Sequence, residues 1–89
     1  MKRNKEMAHV ILQVVEDNAD RVGLELPYLM SLVAGRNQEW TSSMDYHLHL
    51  LVHGGFLTKR SVNEVDPAFV QLTWAGHTML EDLAAELGL

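Results

Sequence analysis

At 89 residues, 47% of them hydrophobic, the chain is long enough for one hydrophobic core, too short for a second domain and too apolar for a disordered protein. It contains no cysteine, which excludes disulfides and thiolate metal sites and favours a reducing, cytoplasmic compartment. Twelve acidic residues against seven basic ones give a net charge of −5 with neutral histidines, which opposes long-range attraction to nucleic acid.

The first two predicted helices follow from apolar periodicity and end signals. Asn4 can cap the first helix, which ends in the polar, turn-forming run 17–20. Pro27 suits the first position of the second helix, and Gly35 is placed to end it. The apolar faces of the two helices are Met7, Val10, Ile11, Val14 and Val15, and then Leu26, Leu29, Met30 and Val33.

A third helix is predicted from Ser42 to the glycine pair 54–55. Ser42 and Asp45 have the spacing of a capping box, and glycine accepts the left-handed conformation in which many helices end. The side of this helix expected to face the core carries Met44, His47, Leu48, Leu51 and Val52.

After the third helix the pattern changes to strands. Residues 56–62 and 68–72 are rich in β-branched and aromatic side chains, and the turn-forming run 63–67 between them predicts a hairpin. Thr73 then caps a last helix with an apolar stripe of Leu80, Leu83, Ala84 and Leu87. Three helices, a hairpin and a closing helix are the element order of a winged helix-turn-helix. We therefore predict an α+β, mostly helical fold, with residues 1–89 forming a single winged-helix domain.

The predicted core takes one face of each helix and the inward side of the hairpin. Its members are Val10, Ile11, Val14, Leu29, Val33, Leu48, Leu51, Phe56, Leu57, Leu72, Trp74, Leu80 and Leu83.

Two segments carry a family resemblance. Residues 46–57, YHLHLLVHGGFL, resemble a "YH-x-x-LL-x-x-AG-hydrophobic" pattern, and residues 72–80, LTWAGHTML, resemble "LTW-x-GH-x-hydrophobic-L". Both patterns occur in a family of small bacterial and phage winged-helix proteins of unknown function. The resemblance implies a winged-helix fold and a phage or prophage setting, and it implies no activity, ligand or catalytic residue.

DNA binding is the usual task of this fold, but the third helix is poorly suited to it. Its predicted outward face consists of Ser42, Tyr46, His49, Leu50 and His53. Base edges and phosphates are normally read by Arg, Lys, Asn or Gln, and this face has none of them. Nucleic-acid binding is thus disfavoured and remains the alternative hypothesis, with Ser42, Ser43, Lys59 and Arg60 as its contacts.

A metal site is one hypothesis for the histidines. His49 and His53 have the i, i+4 spacing that can hold a transition metal, but no third ligand is aligned with them, so we predict neither a metal nor a cofactor. We expect His47 to be packed and hydrogen-bonded on the core side. For Trp74 and His77 we expect structural roles, with the indole packed across the domain and the imidazole bonded locally beside the hairpin.

A protein-interaction surface is the interpretation that we prefer. Tyr46, His49, Leu50 and His53 form a semi-apolar stripe opposite the core stripe of the third helix, and such a stripe is usually covered. The alternative to an interaction surface is that the loop containing Trp40 partly buries Leu50.

These observations together predict a non-enzymatic adaptor or regulator. The chain has no nucleophile–base pair and no glycine-rich phosphate loop, so we do not expect an enzyme or a small-molecule substrate. No apolar run approaches the roughly 20 residues that span a bilayer, so we expect no membrane association. We expect the protein to act through contacts with a protein partner or through homodimerisation, with a DNA-binding transcriptional regulator as the alternative.

Overall fold

A computed structural model describes residues 1–36 and 38–89. Within these residues the chain forms an α+β fold of four helices and one three-stranded antiparallel sheet. The helices are α1 (Lys5–Asn18), α2 (Leu26–Ala34), α3 (Ser42–His53) and α4 (Trp74–Leu87), and the strands are β1 (Leu24–Glu25), β2 (Leu57–Arg60) and β3 (Phe69–Leu72).

The helix ends follow the local signals in the sequence with one exception. Asn4 caps α1 by accepting a hydrogen bond from the Met7 N–H at 3.1 Å, and Thr73 caps α4. The cap of α3 is Thr41 and not Ser42, because the Thr41 hydroxyl accepts from the Met44 N–H at 3.1 Å. The reciprocal partner in this capping box is the Met44 sulfur, which accepts from the Thr41 N–H at 3.5 Å. The helix therefore begins at Ser42, and Asp45 is not part of the cap.

The predicted hairpin is present, and it is joined by a strand that the sequence did not indicate. β2 and β3 are antiparallel neighbours, with Leu57 opposite Leu72 and Lys59 opposite Val70. β1 pairs with the other edge of β3, with Leu24 opposite Val70. A strand of two residues has no periodicity to detect, and its existence depends on the partner that it meets in the folded chain.

Eight of the predicted core residues are buried, and two others are exposed to solvent. Buried as predicted are Ile11, Leu29, Leu48, Leu51, Leu57, Leu72, Leu80 and Leu83, whereas Val14, Val33 and Phe56 are partly buried. Leu12, Val15, Leu24 and Val70 are buried as well, although the predicted core omits them. The two wrong members are Val10, which is 41% exposed, and Trp74, which is 90% exposed.

Both errors have a geometric cause. Helix α1 packs against α2, α3, α4 and β3 together, and this broad contact centres its buried side on Ile11, Leu12 and Val15, leaving Val10 at the edge. On α4 the buried side begins at Gly76 and continues through Leu80 and Leu83. Trp74 precedes Gly76 by two residues, which at 3.6 residues per turn is about 200° around the helix, so its indole points into solvent.

No helix in residues 1–36 and 38–89 combines the length and the apolar character needed to cross a membrane.

Candidate functional site

The exposed side of α3 differs from the stripe expected from its sequence. His47, Leu48 and Leu51 are buried, and Asp45, His49 and His53 face solvent. Tyr46 and Leu50 are each only partly buried, on the flank of this exposed side. The four predicted interface residues, Tyr46, His49, Leu50 and His53, are distributed over three concavities, two of which share Asp45 and His49.

One of these concavities lies between the amino-terminal segment, α3 and α4, and we call it the apolar groove. It has a volume of about 430 Å³. Its floor is formed by Ala8, His47, Leu50, Leu51, Phe56, Met79 and Leu83. Arg3, Lys5, Asp82 and Glu86 also line it, and the Lys5 ammonium lies 2.7 Å from a Glu86 carboxylate oxygen. The arrangement offers apolar surface with both signs of charge at its border.

His47 lines the apolar groove and is held in a single tautomer. It is 1% exposed, as the packed position predicted for it requires. Its Nε2 accepts a hydrogen bond from the Asn4 backbone N–H at 2.7 Å, and its Nδ1 lies 2.6 Å from the Ser43 carbonyl oxygen. Because a backbone N–H can only donate and a carbonyl can only accept, the ring carries its proton on Nδ1. His47 thus joins α3 to the start of α1.

A second concavity, with a volume of about 500 Å³, lies beside the start of α3 and includes Tyr46 and His49. Trp40 lines it and donates from its indole nitrogen to Asp45 Oδ1 at 3.2 Å. Leu50 does not line this concavity and lies instead in the apolar groove, where its neighbours come from α1 and α4.

The third concavity lies between α3 and β2 and contains the histidine pair. The rings of His49 and His53 are 4.0 Å apart between centroids, and Asp45 and Lys59 border the same space. Among the described residues no group of three His, Asp or Glu side chains is arranged to hold a metal ion. Lys59 is the basic residue that lines this concavity with the two histidines.

The residues of the nucleic-acid hypothesis are spread over two elements. Ser42 and Ser43 occupy the first turn of α3, and the Ser43 hydroxyl is 3.5 Å from His47 Nδ1. Lys59 and Arg60 are exposed at the end of β2. Ser42 lines the concavity of Tyr46 and His49, and Lys59 lines a concavity that also includes His49, His53 and the acidic Asp45.

The Thr73–His77 segment forms a structural junction at the start of α4. The Thr73 hydroxyl accepts from the Gly76 N–H at 2.9 Å and donates to the Gly55 carbonyl at 2.6 Å. His77 does not bond locally beside the hairpin as expected, because its Nδ1 lies 3.3 Å from a Glu16 carboxylate oxygen on α1. We expected Trp74 to pack across the domain, but its side chain is exposed to solvent. Its sequence position did not identify it as a surface residue.

No protein-family model matches the chain, and no curated protein matches it.

Proposed function

We propose that the chain is a non-enzymatic winged-helix adaptor or regulator that binds a protein through α3. The order α1-β1-α2-α3-β2-β3-α4, with β3 at the centre of the sheet, supports a winged-helix assignment, in which α2 and α3 are the helix-turn-helix and β2–β3 the wing. The resemblance of residues 46–57 and 72–80 to a bacterial and phage winged-helix family adds to this support.

The apolar groove is the observation that carries the proposal. It brings Leu50, one of the predicted interface residues, together with basic residues of the amino-terminal segment and acidic residues of α4. An apolar pocket with a polar, charged rim is the usual form of a protein-binding surface, because the anchor side chain of a partner is desolvated while the rim stays wet. Tyr46 lies one helical turn before Leu50 and borders the neighbouring concavity at the start of α3.

A site-specific crosslinking experiment tests this proposal. A photo-crosslinking amino acid is placed at Leu50 or Tyr46 in the native host, and at the exposed Glu81 of α4 as a control. We expect one protein to be captured from the α3 positions and not from Glu81, and Tyr46→Glu with Leu50→Glu to abolish its binding to the purified chain. If the double variant stays folded and keeps every partner and its native mass, the α3 surface is not an interface.

The competing function is a DNA-binding regulator, and Lys59 is the observation that favours it. Lys59 borders the same concavity as His49 and His53, so the wing adds a basic residue to the exposed side of α3. Asp45 in the same space opposes phosphate, and the exposed side of α3 offers no side chain suited to paired hydrogen bonds with a base edge.

Fluorescence anisotropy with a random duplex separates the two functions. For the adaptor we expect no affinity tighter than about 10⁻⁶ M near physiological salt. A tighter affinity that falls steeply with added salt, and that Lys59→Ala with Arg60→Ala removes, would establish the DNA-binding function instead.

A further inference from the structure

Helix α2 presents an unusual solvent-facing side. From Leu26 to Ala34 it contains no charged residue, and Leu29 is its single fully buried member. Its exposed residues are Pro27, Tyr28, Ser31 and Leu32, with Tyr28 53% and Leu32 37% exposed. A surface helix normally carries charged side chains on the side away from the core. Two large apolar groups on this side are therefore left in water by the fold of a single chain.

The charge distribution indicates what covers this side. Two copies of a chain with a net charge of −5 repel each other, and a charge-free helix is a place where they can meet without bringing like charges together. The charges nearest to α2 along the chain have opposite signs, Glu25 directly before it and Arg36 two residues after it. Within the described part of the chain neither side chain forms an ion pair.

These charges and the exposed apolar pair are arranged almost symmetrically about the middle of the helix. Tyr28 and Leu32 each lie two residues from Met30, and Glu25 and Arg36 lie five and six residues from it. In a twofold dimer of antiparallel helices, residues at equal distances from the midpoint face each other. Such a dimer places Tyr28 opposite Leu32 of the second copy, and at both ends of the contact it brings Glu25, just before the helix, to the end of the second helix that Arg36 follows.

We propose that the solvent-facing side of α2 is a homodimer interface in which two copies of the helix pack antiparallel about a twofold axis. This surface is separate from the α3 surface on which the proposed function rests, so either can fail without the other. A helix of nine residues is about 13.5 Å long, and its contact is smaller than the roughly 800 Å² per partner of a standard interface. The dimer should therefore be weak and dissociate on dilution.

Sedimentation equilibrium over a range of protein concentrations tests the proposal. We expect the average mass to rise from monomer to dimer as the concentration increases through the micromolar range. Leu32→Glu places a carboxylate in the centre of the contact and should keep the chain monomeric throughout. Far-UV circular dichroism shows whether the variant remains folded, and Tyr28→Glu gives a second test of the same surface should Leu32→Glu unfold the chain.

Charge reversal tests the orientation of the two helices. Glu25→Arg alone faces Arg36 of the second copy with a like charge at both ends, and Arg36→Glu alone does the same with carboxylates. Each single reversal should weaken the dimer by about tenfold, and the double variant should regain most of the wild-type affinity. Glu81→Arg on α4 changes the net charge as much as Glu25→Arg does and serves as the matched control, with dimerisation no weaker than in the wild type.

Three results would overturn the proposal. One is a chain that remains monomeric at millimolar concentration. Another is a dimer that Leu32→Glu and Tyr28→Glu leave intact while the α3 variants Tyr46→Glu and Leu50→Glu dissociate it. The third is a double charge reversal that stays as weak as the single reversals, because the helices then do not pack antiparallel.

Discussion

Replacing Gly76 by alanine tests the junction at which α4 meets the turn between α3 and β2. A β-carbon at Gly76 would lie well inside van der Waals contact with the Phe56 carbonyl oxygen, at 2.9 Å from Leu72 Cδ2 and at 3.1 Å from the Phe56 carbonyl carbon. The Phe56 oxygen is backbone and already accepts a hydrogen bond from the Thr73 N–H at 3.2 Å. It cannot move away as the end of a flexible side chain could, so the start of α4 must shift.

The size of the effect follows from two opposing contributions. Overpacking against a backbone atom should cost about 3 kcal/mol, the upper part of the usual range. Alanine is a better helix former than glycine by about 1 kcal/mol, which offsets part of this cost. The net loss in the free energy of unfolding should be about 2 kcal/mol, or a fall in Tm of roughly 8–16 °C for a domain of this size.

Gly55→Ala is the matched control, because its cost has a different origin. Gly55 has a φ of 84° and no neighbouring atom within 4 Å of an added β-carbon, so alanine there meets only the left-handed backbone penalty of about 1 kcal/mol. Urea unfolding followed by circular dichroism measures both variants. Gly76→Ala should be clearly the less stable of the two, and a Gly76→Ala chain as stable as the wild type would refute the close approach of α4 to Phe56.

Three further predictions concern the buried His47, the exposed Trp74 and the exposed pair His49 and His53. His47→Phe removes two buried hydrogen bonds at similar volume, so we expect the free energy of unfolding to fall by about 1–3 kcal/mol in urea titrations; an unchanged value would show that neither bond contributes. Trp74→Ala should change the free energy of unfolding by less than about 0.5 kcal/mol. In a Trp40→Phe chain, the fluorescence emission of Trp74 should be that of an indole in water and should be quenched by iodide. A blue-shifted emission protected from iodide would mean that Trp74 is covered. Zinc or a chelator should leave the Tm of the wild type and of the His49→Ala/His53→Ala variant unchanged, and a chelator-induced fall in the wild type alone would reveal a bound metal.

The helices and the hairpin could be predicted from the sequence because their signals are local. Asn4, Pro27, Gly35 and Thr73 act on the backbone within one turn of their own position, so the ends of α1, α2 and α4 agree with the structure. Where two local signals competed, as at Thr41 and Ser42, the sequence reading placed the cap of α3 one residue too late.

The candidate surfaces depended on contacts between elements that are distant in the sequence. Helical periodicity showed that Leu50 lies away from the centre of the buried side of α3, but only the position of α4 places it in a groove with Met79 and apart from Tyr46. Likewise, only the tertiary structure shows that the side of α2 that bears Tyr28 is exposed to solvent.

The sequence by itself determined which segments are helical, where most of them begin and end, and that α-helices are followed by a hairpin, since these features follow from backbone conformation and apolar spacing over a few residues. Tertiary structure alone decided that Leu24 meets Val70 to form β1, that Leu12 replaces Val10 in the core, and that Trp74 faces solvent. The physical reason is the same in each case: a side chain is buried by its neighbours in space, and the rotation of a helix or the pairing of a two-residue strand is set by the elements packed against it.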